Sequence, residues 1–391
     1  MDDFFSDDMR RNPYPIYAQM RQTAPVFKVP PPFDAWMIFT YDGVKHALSD
    51  HATFSSRVPG PRNWFIFFDP PHHTKLRALL SKAFTPRVVA GLEPHIRDLS
   101  RRLLDRSIDA GQMDLAADFS IPLPMMVIAE LIGIPPGQWE RFNRWSSGIL
   151  KISYGRSGPA AAQAMAEFRA AAAEINAYVA GMIAQRRADP RDDLLTRLVH
   201  AEVDGQHLTD EEIFGFFQLL LVGGQETTTN LINNAVLCLL ENPDQLALLR
   251  QRPDLLPSAI EEVLRYRSPA QWMMRTPTRP IELHGQTIPP GQLVLAMLGS
   301  ANRDPAQFPD PERFDITRDP NPHLAFGHGA HFCMGAPLSR LEARIALADL
   351  LQRLDHIELA TTEPWEPRKA LHVHGPARLP IRFRQSPRIS A

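Results

Sequence analysis

The chain has 391 residues, and its 42 Lys+Arg stand against 44 Asp+Glu for a formal charge of −2, so no bulk basic field points to nucleic acid or an anionic membrane. Hydrophobic residues make up 44% and charged residues 22%, which excludes intrinsic disorder and allows a large core. The anomaly is proline: 37 residues, about twice the usual ~5%. Because proline breaks helix interiors, its spacing marks where long helices can run.

In chain order, Met1 to Met9 carries four Asp and no apolar core of a signal peptide. Pro25 to Pro32 is proline-dense, and Trp36 to Thr40 reads as a short strand. The loop Phe54 to Phe68 brings Trp64, Phe65, Phe67 and Phe68, and Asp69 to Arg77 then leads into a basic helix. Proline-free runs follow: His95 to Ile121, Gly137 to Gly158, Ala160 to Asp189, and the longest, Arg191 to Asn242. Apolar residues recur at helical spacing within them, and Ala160 to Ala184 is rich in the best helix former. Ser258 to Ser268 predicts a short helix with Glu262 and Arg265 three apart on one face. Strand-like pieces lie at Ile281 to Ile288 around His284-Gly285, at Leu293 to Leu298 and at Leu379 to Phe383. Pro305 to Pro322 is a second proline-dense meander, and Leu338 to Glu363 a last proline-free helical run. No repeat or linker divides the chain, so the expectation is one mainly α (α+β) domain over residues 1–391.

The stretch Ile213 to Leu240 is apolar enough to raise a membrane span, yet Gln225, Glu226, Thr227, Thr228, Thr229, Asn230, Asn233 and Asn234 crowd its centre. That content suits a buried helix with a functional interruption. Gly223 and Gly224 each cost a helix interior about 1 kcal/mol relative to alanine. At 100° per residue, Leu220, Gly223, Gly224, Thr227 and Leu231 share one face, so the small residues open a groove beside the Thr227 hydroxyl. The bland reading is a helix kinked for packing, with Thr bonded back to a carbonyl.

Phe326-Gly327-His328-Gly329-Ala330-His331-Phe332-Cys333-Met334-Gly335 is the densest chemical signal. Three glycines around one Cys imply a backbone that turns sharply or lies against something flat and bulky. Pro337 fits the first turn of a following helix, which places Cys333 just before a helix N-terminus that favours a thiolate. The residues alone leave three readings. A zinc site from His328, His331 and Cys333 lacks the usual second ligand pair; a Cys/His nucleophile lacks identified partners; an inert buried Cys leaves the glycines unexplained. Cys238, inside Ala235 to Leu240, reads as core, and two cysteines without a disulfide framework suit a reducing cytoplasm.

The run Phe326 to Gly335 resembles the haem-binding signature of the cytochrome P-450 superfamily at every fixed position, with Cys333 in the place of the axial iron ligand. The resemblance covers nearly the whole chain, from Asn12-Pro13-Tyr14-Pro15 to the final strand. It implies heme b, dioxygen, and two electrons from a ferredoxin or flavodoxin-type donor with its NAD(P)H reductase. Gly223 to Thr227 is similar to the family's oxygen-activation motif, which implies that Thr227 stabilises and protonates dioxygen while Glu226 belongs to a proton relay. His73, Arg77, Arg275 and His331 match the haem-propionate partners, and Phe326 and Gly335 fall at the haem loop's fixed positions. Glu262 and Arg265 match the internal Glu-x-x-Arg element, with Arg313 as its later arginine; the apolar face Ile260, Val263, Leu264 would by itself leave that pair exposed.

The substrate pocket is expected from the variable parts: Trp64, Phe65, Gly223, Gly224, Gln271 and Trp272, a roof from Leu150 to Phe168, and Arg57 or Arg62 for a carboxylate. The implied function is a soluble bacterial-type haem-thiolate monooxygenase that hydroxylates or epoxidises an apolar fatty acid, terpenoid, steroid or polyketide-type metabolite in the cytoplasm, without membrane insertion. A silent haem-binding sensor or recruiting partner is the alternative. Lys75, Arg77, Lys82, Arg87, Arg97, Arg101, Arg102 and Arg106 outnumber Glu93, Asp98 and Asp105, which points to an acidic electron donor on that face.

Overall fold

The computed structural model describes residues 6–31, 33–58, 63–153 and 158–386. In chain order the principal helices are α1 (Tyr14–Thr23), α2 (Tyr41–Ser49), α3 (His72–Ala83), α4 (Glu93–Asp105), α5 (Pro122–Ile132), α6 (Trp139–Leu150), α7 (Gly158–Ala188), α8 (Asp210–Glu241), α9 (Leu256–Tyr266) and α10 (Ala336–Arg353). Besides a two-residue hairpin of Glu202–Val203 with Gln206–His207, the strands are β1 (Val26–Val29), β2 (Ala35–Ile38), β3 (Phe54–Ser55), β4 (Gln112–Asp114), β5 (Met273–Pro277), β6 (Ile281–Leu283), β7 (Gln286–Ile288), β8 (Leu293–Ala296), β9 (Leu354–Leu359) and β10 (Pro380–Gln385). The mainly α expectation holds, and each long proline-free run carries one of the long helices.

Helix α8 is the axis. Thr209 and Glu212 form a reciprocal capping box at its start, and Asp210, Glu211 and Glu212 oppose the positive end of its dipole. Its 32 residues extend about 48 Å. It packs against α5, α6, α7, α9 and α10, which buries nearly its whole second half, Cys238 included. The expected interruption is absent: α8 runs helical through Gly223 and Gly224, because flanking helices hold the segment that propensity alone would weaken.

The sheets are peripheral. One has the order β1-β2-β8-β5-β3, with β8 parallel to β2 and the other pairings antiparallel. The second, β9-β10-β4, joins the end of the chain to a segment after α4. β6 and β7 form the predicted hairpin about His284-Gly285. Strands β1, β3, β4, β5 and β9 escape the sequence reading; β3 and β4 are two and three residues long and find their partners, β5 and β10, far along the chain.

The meander 305–322 explains one cluster of prolines. Glu262 and Arg265 are wholly buried. Arg265 Nε and Nη2 donate to Glu262, each at 2.8 Å, and its guanidinium also donates to the carbonyls of Asn302, Pro311 and Arg313. Glu262 accepts further from Asp315 N–H at 2.9 Å and Asn321 Nδ2 at 3.1 Å. The helical pattern, which left this pair exposed, is overruled because the meander covers it. The expected role of Arg313 is also corrected: its side chain is exposed and only its carbonyl takes part. Arg318 supplies the second guanidinium, 3.3 Å from Glu262, held by the carbonyls of Pro309 and Asp310. Removing one partner of a buried pair costs about 3–5 kcal/mol. We therefore expect Arg318→Ala to lower stability by about 2 kcal/mol or more, and Arg313→Ala by less than about 0.5 kcal/mol, in parallel urea melts.

Candidate active site

The cysteine loop is shaped by two of its three glycines. Gly327 and Gly329 have φ of +74° and +71°, and a Cβ at Gly329 would lie 3.1 Å from the Leu48 carbonyl oxygen on α2. Cys333 N–H closes the loop onto Phe326 O at 2.8 Å. Phe326 packs beneath the Arg340 guanidinium, 4.5 Å from its ring centre. Helix α10 begins three residues after Cys333, with Pro337 in its first turn, as the sequence predicts.

Cys333 lies deep among protein groups while its surface stays open, so the thiol faces an internal space. Burial raises its pKa; the N–H groups of Gly335 and Ala336, then the charges of Arg77 and Arg340, pull it back. A Cβ on Gly335 would stand 3.8 Å from the sulfur with no other close neighbour. Neither turn geometry nor protein packing demands that glycine, whereas a flat group lying beside the sulfur would.

A cluster of hydrogen-bond donors borders the same loop. His73 of α3 is buried, its ring lies 3.8 Å from that of His331 and stacks on Phe65 at 5.7 Å, and neither of its nitrogens has a protein partner. His331 Nε2 sits 3.0 Å from Ser56 Oγ. Arg275 on β5 is buried, and its hydrogen bond goes to the neighbouring Met274 carbonyl. Burial and then Arg77 push His73 down to about 4; burial, His73, Arg275 and Arg77 push His331 down to about 3. Burial also lowers Arg275 to about 10. The nearby carboxylate, Asp69, is held by Ser55 Oγ at 2.5 Å and Ser56 N–H at 2.7 Å. A buried Arg275, the half-buried Arg77 and the unpartnered His73 nitrogens face one nearby acid, Asp69, already held by Ser55 and Ser56, and so fit an anionic ligand that accepts several hydrogen bonds.

On α8, Glu226 is buried with Oε2 unpartnered, and burial, opposed by Arg368, pushes its carboxyl up to about 7. Thr227 Oγ1 donates to the Gly223 carbonyl. The two glycines part company: a Cβ on Gly223 meets nothing within 4 Å, whereas one on Gly224 would come to 2.7 Å of Ile128 Cδ1. The open groove beside Thr227 is therefore made by Gly223, and Gly224 is a packing glycine against α5.

Other pocket expectations are corrected. Trp64 is buried, donates to Gln218 Oε1 at 2.9 Å and stacks on Phe67. Gln271 accepts from Tyr17 OH at 3.1 Å and donates to Ser268 O at 2.7 Å, so its amide ties α1 to the end of α9. Both are core, because a large aromatic and an amide with waiting partners lose less inside than against a ligand. Phe65 serves the His73 ring, and Trp272 lies half-buried edge-on to His372 at 5.8 Å. Arg62 and residues 154–157 of the expected roof lie outside the described residues. Arg57 is exposed and lies 3.6 Å from Asp69. Sequence reasoning missed Arg318 and Arg368, neither of which sits in a motif.

Among the described residues no three His, Cys, Asp or Glu side chains are placed to hold a metal, which disposes of the zinc reading. A thiol on a glycine loop with the Arg77 donor acting on it, in a chain whose longest helix carries an acid and an alcohol beside an open glycine, has the parts of a haem-thiolate arrangement. The sequence profile described as Cytochrome P450 matches residues 158–378. The putative cytochrome P450 YjiB of Bacillus subtilis is 44% identical over 91% of this chain and 90% of its own. This chain belongs to the cytochrome P450 superfamily. It is also similar to the erythromycin C-12 hydroxylase of Saccharopolyspora erythraea, at 41% identity over 95% of this chain and 94% of that one. The crystal structure of CYP109E1 from Bacillus megaterium in complex with testosterone superposes with a TM-score of 0.87 at 40% identity, covering 95% of this chain and 99% of that one. The protein is a haem-thiolate monooxygenase, requiring dioxygen and a redox partner as the family does. No helix among the described residues is long and apolar enough to cross a membrane.

The raised Glu226 carboxyl has a thermodynamic signature. The folded state keeps a proton that the unfolded chain loses near 4.5, so this group's contribution to stability falls as pH rises toward 7. The stability of Glu226→Gln relative to the parent should rise by up to about 3 kcal/mol between pH 4.5 and 8, read by denaturant melts of both proteins across that range.

Proposed function

We propose that the protein oxygenates an apolar metabolite of steroid, polyketide or fatty-acid size at heme b, with Cys333 as iron ligand and Glu226 and Thr227 delivering protons. The observation that carries this reading is the pairing of an internally facing thiol with a buried acid and an alcohol beside the Gly223 opening. When bound, heme supplies an iron centre whose thiolate ligand favours O–O cleavage.

The chain's own groups do the rest. Gly335 and Ala336 N–H, which oppose the effect of burial, and the start of α10 would stabilise negative charge on Cys333 Sγ when it binds iron. His73, His331, Arg77 and Arg275 would hold the propionates and so set the ring's orientation. Glu226, with a carboxyl near 7, can both hold and release a proton at neutral pH, the condition for general acid catalysis. The Thr227 hydroxyl, held on the Gly223 carbonyl, passes that proton into the groove. An intact acid and alcohol favour turnover over a silent sensor.

For electron delivery we assign the face of α3 and its neighbours. Lys75, Lys82 and Arg87 are exposed, and none forms an ion pair among the described residues, whereas Glu93 is occupied by Arg97 and Arg344 and Asp105 by Arg353. A cavity of about 320 Å³ on the same side is lined by Val89, Ile260 and Leu341, with Arg340 and Arg344 already paired to Glu261 and Glu93, so the charge offered to an acidic ferredoxin-type donor comes from Lys75, Lys82 and Arg87. Unpaired cysteines agree with a cytoplasmic setting.

Two measurements test this. With testosterone as probe ligand and a surrogate donor, Thr227→Val should divert most reductant into hydrogen peroxide and lower product by about 100-fold, while Thr227→Ser recovers it; product formation by the Val variant at the parental rate would refute the assignment. Lys75→Glu with Lys82→Glu should slow reduction by an acidic ferredoxin about tenfold at low salt and converge on the parent at high salt; equal rates at every salt would refute the docking face.

A further inference from the structure

Behind Glu226, one face of α8 is polar where a helix in a core should be apolar. Glu226, Asn230, Asn233 and Asn234 fall within about 100° of one another, and the three asparagines are fully buried. Both amide atoms of Asn230 and Asn233, Asn234 Oδ1 and Glu226 Oε2 have no protein hydrogen-bond partner. The great majority of buried polar atoms are paired, so contiguous orphans of both kinds, donors beside acceptors, require a species that donates and accepts. Water does both.

The polar face continues outward. Gly375 lies so close to Asn230 that a Cβ there would stand 2.5 Å from Asn230 Oδ1, and Gly375 O accepts from the N–H of Arg368, the cation whose charge acts on Glu226. Asn234 Nδ2 donates to His374 O at 2.9 Å and to Arg267 O at 3.0 Å. His374 Nε2 faces the Arg11 carbonyl at 3.1 Å, so it carries the proton and leaves Nδ1 a bare acceptor; Nδ1 is buried and without a protein donor. The His374 ring packs on Tyr14 at 5.8 Å and Trp365 at 5.7 Å. Tyr14, Trp365 and Arg267 line a cavity of about 670 Å³ at the other end, together with Glu241 and Arg303. Arg267 Nε is buried there without a partner.

We infer that this face of α8 is a hydrated proton conduit, running from the Tyr14–Arg267–Trp365 cavity past His374, Asn234 and Asn230 to Glu226. It rests on the reading of Glu226 as proton donor. Asn234 to Glu226 is eight residues, about 12 Å of helix, which about four hydrogen-bonded waters span. Each transfer is neutral in atoms: a proton enters the water nearest the cavity, one leaves the water nearest Glu226, and the carboxylate that has given its proton to the groove regains one. The neutral His374, held by burial well below its ordinary range, adds an acceptor without a charge that would repel the proton.

The test uses the haem-loaded protein. A crystal structure resolving ordered solvent should show water within hydrogen-bond distance of the Asn230 amide, Asn234 Oδ1 and His374 Nδ1; a dry face would overturn the inference. Asn230→Leu should raise the solvent deuterium isotope effect on donor-driven dioxygen consumption about twofold or more and divert reductant to peroxide, with Asn230→Ser restoring the parent. His374→Gln, which keeps a polar side chain, should stay near the parent, and His374→Phe should behave as Asn230→Leu. If Asn230→Leu and His374→Phe keep the parental melting temperature and isotope effect while Glu226→Gln loses turnover, the conduit is refuted and the relay role of Glu226 stands. If Glu226→Gln itself turns over as the parent does, the relay reading fails first.

Discussion

The role proposed for Cys333 depends on keeping one sulfur negatively charged inside a protein. Burial opposes charge on Cys333, and no carboxylate or ammonium sits on the thiol itself; the compensation is distributed over the Gly335 and Ala336 N–H groups, the start of α10 and the more distant Arg77 and Arg340. Such compensation works only if α10 begins three residues after Cys333, and that position is set by packing. Helix α10 lies on α4, α8 and α9, so the electrostatics at the sulfur are inherited from the helical core.

The same core fixes the groove on α8. Helix α8 crosses the molecule continuously, with Gly224 locked on Ile128 and Gly223 left open. The one-residue difference between packing glycine and open glycine orients Thr227 and Glu226. Opposite them, the Glu262–Arg265–Arg318 lattice pins the meander that leads into the cysteine loop. Its ion pairs are fully hydrogen-bonded, which is what makes burial of three charges tolerable.

Much of this was legible in the sequence, and the gaps have physical causes. Long helices follow from proline-free runs, and the thiol, the acid and the alcohol follow from short contiguous motifs whose spacing encodes their geometry. What failed was long-range. Arg313 and Arg318 are both basic residues of one meander, and only the folded turn decides which offers a guanidinium and which a carbonyl. Trp64 and Gln271 have the composition of a pocket, but partners at Gln218, Tyr17 and Ser268 absorb them. The polar face of α8 was visible as a list of asparagines, yet its direction toward His374 and the cavity depends on a loop 140 residues away in the chain.

The central claim is that Cys333 ligates haem iron as a thiolate. The most direct measurement is the absorption spectrum of the purified protein after dithionite reduction under carbon monoxide, for the parent and for Cys333→His. The account predicts a red parent protein with the red-shifted Soret band of a thiolate ligand, and a Cys333→His variant that binds haem with the shorter-wavelength band of an imidazole ligand. A colourless parent under haem-replete expression, or a thiolate-type band that persists in Cys333→His, would contradict it.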